Sequence, residues 1–191
     1  MTALDIPTIE RLTFEYGQGW ALAHVRRVLK LIDQIGAGLE YDRRAMTWAV
    51  YLHDWGAFQK YSQAGVEHAL RSRQVAETEI LPCTDLPENT QAVILEVIEL
   101  HDYRDTRPVH SNEALLLREA DFLDFLGAIG IAREFAKGPK DLQKSHQQIL
   151  ARRQLIEGRF SLPEARKIAA ARLAGMDRFF KELQAESFGD L

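Results

Sequence analysis

The segment from Trp20 to Gly36, WALAHVRRVLKLIDQIG, spaces its apolar residues as only a helix can place them on one side. Leu22, Val25, Val28, Leu29, Ile32 and Ile35 share a face, and Arg26, Arg27, Lys30, Asp33 and Gln34 take the other. In YDRRAMTWAVYLHDWG the middle is nearly all apolar, with Asp42 as a candidate N-cap and Gly56 as a C-terminal stop, so this helix is expected to be central. Further helices are expected at about Val66 to Leu81, Pro87 to His101, Asn112 to Phe135, Lys140 to Glu157 and Leu162 to Gln184, punctuated by Gly and Pro. The two-residue alternation of a half-buried strand is hardly seen. The expected fold class is all-α, a single-domain helical bundle over residues 1–191, in which sites form from side chains on facing helices.

Composition narrows the function classes. With 191 residues, 46% of them hydrophobic, the chain can bury the core of one domain. One cysteine, Cys83, allows no internal disulfide. The start MTALDIPTIERL lacks a basic n-region and an apolar run, and no later stretch approaches the about 20 apolar residues of a membrane span, so a cytoplasmic setting without membrane partners is expected. A net charge of -4 gives no general footprint for nucleic acid and leaves small molecules as the expected ligands; it says nothing of oligomeric state.

The informative residues are polar ones on inward faces. His24 lies one turn before Val28, away from the arginines of its helix, and His101 continues the stripe of Ile94, Val97 and Ile98. Asp121 shares a face with Leu117 and Phe125, with Asp124 one turn on as the alternative inward carboxylate. His53 and Asp54 end the most apolar helix, where a buried carboxylate without a partner costs several kcal/mol. One or two cations satisfy all of these groups at once, and the carbonyls of a helix end favour a cation there. His68 lies at the margin of its helix's apolar face. Four histidines and two carboxylates suit Mn, Fe, Co, Ni or Zn better than Mg or Ca. His110 precedes a helix start and His146 lies in the polar LQKSHQQ face, so both are expected at the surface, and the three tryptophans, Trp20, Trp48 and Trp55, are expected to pack the bundle near the cleft.

His24, then His53 with Asp54, then Asp121 resembles the H…HD…D signature of the HD superfamily of metal-dependent phosphohydrolases, an all-helical fold. The contexts AHVRRVL, YLHDWG and EADFLDFLGAIGIAREFA are similar to that family from about Trp20 to Phe135, with helices 140–184 expected to pack on this core. The resemblance implies that His24, His53, Asp54 and Asp121 bind a divalent metal and that His53 and Asp54 are catalytic. His68 and His101 fall where two-metal members carry extra histidines, with Asp54 as the bridge. Ala57 stands where many members have lysine, so Lys60 is a substitute, and Phe122 stands where others have arginine. The implied activity is hydrolysis of a small phosphorylated molecule, a nucleotide by preference, by metal-activated water. Lys60, Arg71 and Arg118 are the candidate substrate cations. Two alternatives share these ligands: a di-iron oxygenase of the same fold, and a non-catalytic helical module that binds a metal or senses a nucleotide.

Overall fold

A computed structural model describes residues 3–137 and 141–190. Among these residues there are nine α-helices and no strand. They are α1 (Ile6–Tyr16), α2 (Trp20–Ile35), α3 (Arg43–Leu52), α4 (His68–Val75), α5 (Glu88–Glu99), α6 (Asn112–Asp124), α7 (Gly127–Lys137), α8 (Leu142–Ile156) and α9 (Pro163–Glu186). A 3-10 turn, Trp55–Ala57, follows α3, and α4 runs on through a π turn at Ala76–Ile80 and a 3-10 turn at Leu81–Cys83. None of these helices is long and apolar enough to cross a membrane.

Three expectations need correction. Helix α1 is additional; its signals are Asp5, whose carboxylate accepts the Thr8 N–H at 2.9 Å as an N-cap, and Ile9 and Thr13 on the buried face. The single helix expected from Asn112 to Phe135 is two, because the chain turns at Gly127 with φ of +72°, a conformation that favours glycine. Gly56 does not stop α3; His53 caps it, and Gly56 lies in the following turn. Lys140, the expected start of α8, lies outside the described residues; the helix begins at Leu142 behind an Asp141 cap.

The described residues form two compact units, with the division inside α6 after Arg118. In the first unit α3 is central as expected: seven of its ten residues are buried, and it packs against α1, α2 and α5. At about 1.5–3 kcal/mol for each large apolar side chain fully buried, this packing fixes where the helix ends. Asp42 caps its start, accepting the Ala45 N–H at 2.9 Å. Beyond its end, Trp55 is fully buried, donates Nε1–H to Thr13 Oγ1 at 3.1 Å and stacks on Tyr61. A Cβ at Gly56 would collide with the backbone of His68 and Ser72, so glycine here lets α4 approach the turn. The Gly56 N–H closes that approach on Ser72 Oγ at 2.8 Å.

In the second unit α7 packs on α8 and α9. Three of its buried carboxylates are matched within the unit. Glu119 accepts the Ser161 and Leu162 N–H groups at the start of α9, Asp124 pairs with Arg133 at 2.5 Å, and Glu134 with Arg152 at 2.8 Å.

Candidate metal centre

The site grows from two helix ends. A helix leaves its last carbonyls without backbone donors, and in both α3 and α5 a histidine just past the end uses one of them. His53 Nδ1 lies 2.7 Å from the Val50 carbonyl, and His101 Nδ1 lies 2.6 Å from the Ile98 carbonyl. A carbonyl only accepts, so each Nδ1 carries the proton, and in its neutral form each ring presents a lone pair at Nε2. Both rings are shielded from solvent, His53 fully and His101 to 1% exposure.

Each of these lone pairs faces a second imidazole. His24, on the inward face of α2 and 1% exposed, places Nε2 3.0 Å from His53 Nε2. His68, the first residue of α4, places Nε2 3.2 Å from His101 Nε2. Nitrogens that each bond one ion at about 2.1 Å stand about this far apart.

Asp54 lies between the two pairs. Its Oδ2 is 3.6 Å from Nε2 of both His24 and His53; its Oδ1 is 3.5 Å from His68 Nε2 and 4.0 Å from His101 Nε2. Its side chain retains 18% exposure. Burial pushes the carboxyl up, but His53, His24, His68 and His101 together hold it below the usual carboxylate range. The donor set fits divalent cations: borderline nitrogen ligands, two of them with their tautomer fixed by a carbonyl, and one ionised carboxylate offering an oxygen to each side.

Behind His68 lies a residue that sequence reasoning missed. Asp102, 6% exposed, places Oδ2 3.2 Å from His68 Nδ1 and accepts the Arg104 guanidinium at 2.6 Å. Burial raises the Asp102 carboxyl, but Arg104 holds it below the usual range. The signal was present in the sequence, because His101 and Asp102 form a second HD dipeptide.

The remaining sequence candidates take varied positions. Asp121 is 4% exposed on α6, in the second unit, three residues before the Asp124 that pairs with Arg133. Lys60 is exposed and sits 3.8 Å above the Tyr16 ring. Arg71 donates Nε to the Tyr61 carbonyl at 2.7 Å. Arg118, only 7% exposed, donates to the Leu100 and Arg107 carbonyls at 2.6 and 2.9 Å, so its guanidinium braces the backbone beside His101. His110 is exposed as expected, whereas His146 is half-buried against Phe180. Trp48 and Trp55 are buried, but Trp20 keeps 46% of its surface in solvent.

Comparison with known proteins agrees with this geometry. The family model described as HD domain matches residues 21–126. Among solved structures, the chain is similar to a predicted HD superfamily hydrolase from an uncultured Thermotogales bacterium, at 25% identity and TM-score 0.66, covering 95% of this chain and 90% of that one. It is also similar in fold to an HD-superfamily hydrolase of Bacillus thuringiensis, at 22% identity and TM-score 0.65 with 97% of each chain covered. Bacillus subtilis YpgQ in complex with ADP matches at 21% identity and TM-score 0.69, over 95% of this chain and 94% of that one. A search of curated proteins finds no match. With the family model spanning more than half of the chain, the chain belongs to the HD-domain family.

Proposed function

We propose that the chain is a metal-dependent phosphohydrolase with two cations in one site, acting on a small phosphorylated molecule, a nucleotide by preference. The observation that carries this reading is the divided Asp54 carboxylate, with one oxygen toward the His24 and His53 pair and the other toward His68 and His101. In this reading His24 and His53 hold the first ion and His68 and His101 the second, with Asp54 between them. Asp121 completes the first set on the pattern of the family, and Asp124 is a weaker candidate because Arg133 already engages its carboxylate. Bound divalent cations lower the pKa of water toward neutrality and polarise a phosphoryl oxygen.

The protein's own residues do the rest. The carbonyls of Val50 and Ile98 keep Nδ1 of His53 and His101 protonated, so that neither ring turns away. The apolar surround of α3 excludes bulk water from the inner side of the site, and the exposed edge of Asp54 faces the side from which substrate enters. Lys60 and Arg71 are the cations proposed for the substrate's charge. Arg118 serves this role less well, because its guanidinium is spent on two carbonyls. Support for a nucleotide comes from the YpgQ structure, in which a protein of this fold holds ADP.

The test is metal analysis of protein purified without chelator, followed by phosphate release from a panel of nucleoside mono-, di- and triphosphates. About two transition-metal ions per chain and chelator-sensitive release are expected. A chain that binds no such ion, or that releases no phosphate from any of them when fully loaded, contradicts the reading.

A further inference from the structure

His68 is the odd ligand of the proposed four. His53 and His101 have their Nδ1 protons fixed by carbonyls at helix ends, but His68 opens α4, where no helix-end carbonyl is at hand, and a quarter of its side chain is exposed. Its Nδ1 instead faces two side chains of opposite demand. Asp102 Oδ2, at 3.2 Å, can only accept, and Arg104 Nη2, at 3.1 Å, can only donate.

The two contacts select opposite tautomers. A proton on Nδ1, shared with Asp102, leaves a lone pair on Nε2 facing Asp54 and His101. A lone pair on Nδ1, answered by Arg104, puts the proton on Nε2 of the neutral ring and removes it as a ligand. We propose that Asp102 is a positioning residue for the second cation, holding the proton on His68 Nδ1 so that Nε2 is available to ligate. This rests on the two-ion reading above.

Asp102 is built for that task. It is buried, and Arg104 clamps it through its backbone N–H at 2.7 Å and Nε at 3.0 Å, both on Oδ1, and through Nη2 at 2.6 Å on Oδ2. A carboxylate held in this way keeps its Oδ2 toward the imidazole. Glu67, His68 and Asp102 also offer three donors in one place, but the Arg104 guanidinium already stands among them, 3.0 Å from Glu67 Oε2. The cluster is therefore a support behind the site and not a cation site of its own.

The experiment is titration of metal-free wild-type, Asp102→Asn and Asp102→Ala protein with Co(II), read by its visible absorption and by bound metal after gel filtration, with helicity checked by circular dichroism. Asn keeps an oxygen for Arg104 and so protects the fold, but it carries no charge to hold the His68 proton. Wild type is expected to take two ions, and both variants to keep the first with unchanged affinity while the second binds about 10–100-fold more weakly. If Asp102→Asn binds the second ion as tightly as wild type, the positioning role is overturned and the two-ion reading survives. If it loses both ions together, Asp102 supports the fold and the positioning role is likewise overturned. A wild-type protein that takes one ion only overturns both ideas.

Discussion

Asp54 in the first unit and Glu119, Asp124 and Glu134 in the second are satisfied by different means. In the second unit Asp124 meets Arg133, Glu134 meets Arg152, and Glu119 takes two amide N–H groups at the start of α9. All three are matched by donors of the same unit. In the first unit Asp54 lies among four imidazoles, which are paired Nε2 to Nε2 at 3.0 and 3.2 Å. One proton within a pair satisfies two nitrogens, whereas a cation takes a lone pair from every ring and the carboxylate charge at once. The same residue type thus meets a guanidinium at Asp124 and imidazoles at Asp54, and the partner separates an internal ion pair from a candidate cation site.

The contrast can be broken by removing carboxylates one at a time. Asp54→Ala takes an oxygen from both cations, so hydrolysis should fall by about 10^3-fold or more, the equivalent of several kcal/mol of transition-state stabilisation, with metal content reduced and helicity kept. Activity near wild type in that variant would show that the imidazoles act without the bridge.

Asp121→Ala and Asp124→Ala separate the two kinds of buried carboxylate within a single helix. Removing Asp124 takes away its ion pair with Arg133, which is 20% exposed, and should cost about 1.5–3 kcal/mol in denaturant unfolding while metal content stays unchanged. Removing Asp121 should lower metal content and activity with the smaller loss of stability. A reversal of these outcomes would make Asp124 the ligand.

Gly56→Ala sharpens the comparison between the two histidine pairs. The added Cβ meets the backbone of His68 and Ser72, so α4 must move outward and carry His68 with it, while His24 and His53 stay in place. The second ion should weaken by about 10-fold or more and the first should not, in the same Co(II) titration. The smallest effect is expected for Lys60→Ala. Lys60 is exposed above Tyr16, so its loss should raise KM a few-fold, about 1 kcal/mol or less, and leave kcat and metal content unchanged.

Much of the first unit was legible because a 3.6-residue period assigns a face to every residue. His24 and His101 are 1% exposed as their stripes required, and α3 is as buried as its apolar middle demanded. Tertiary packing stayed hidden. The apolar run FLDFLGAIGIA reads as one helix, and only the backbone at Gly127 shows the break. Gly56 reads as a helix stop, whereas its role is to admit α4 beside the turn, a contact between segments far apart in the chain. Arg118 reads as a substrate cation one turn from Asp121, but the loop carbonyls that engage it have no signature in sequence. Asp102 was legible in type, as a second HD dipeptide, and not in role, since that depends on where α4 brings His68.

The central claim is that Asp54 divides one site between two cations. Anomalous diffraction from crystals grown with Mn(II) or Co(II) tests it most directly. The account predicts two peaks about 3.5–4 Å apart, one beside His24 and His53 and the other beside His68 and His101, with an Asp54 oxygen on each. A single peak beside His24 and His53, with the imidazoles of His68 and His101 more than about 4 Å from any ion, would contradict it.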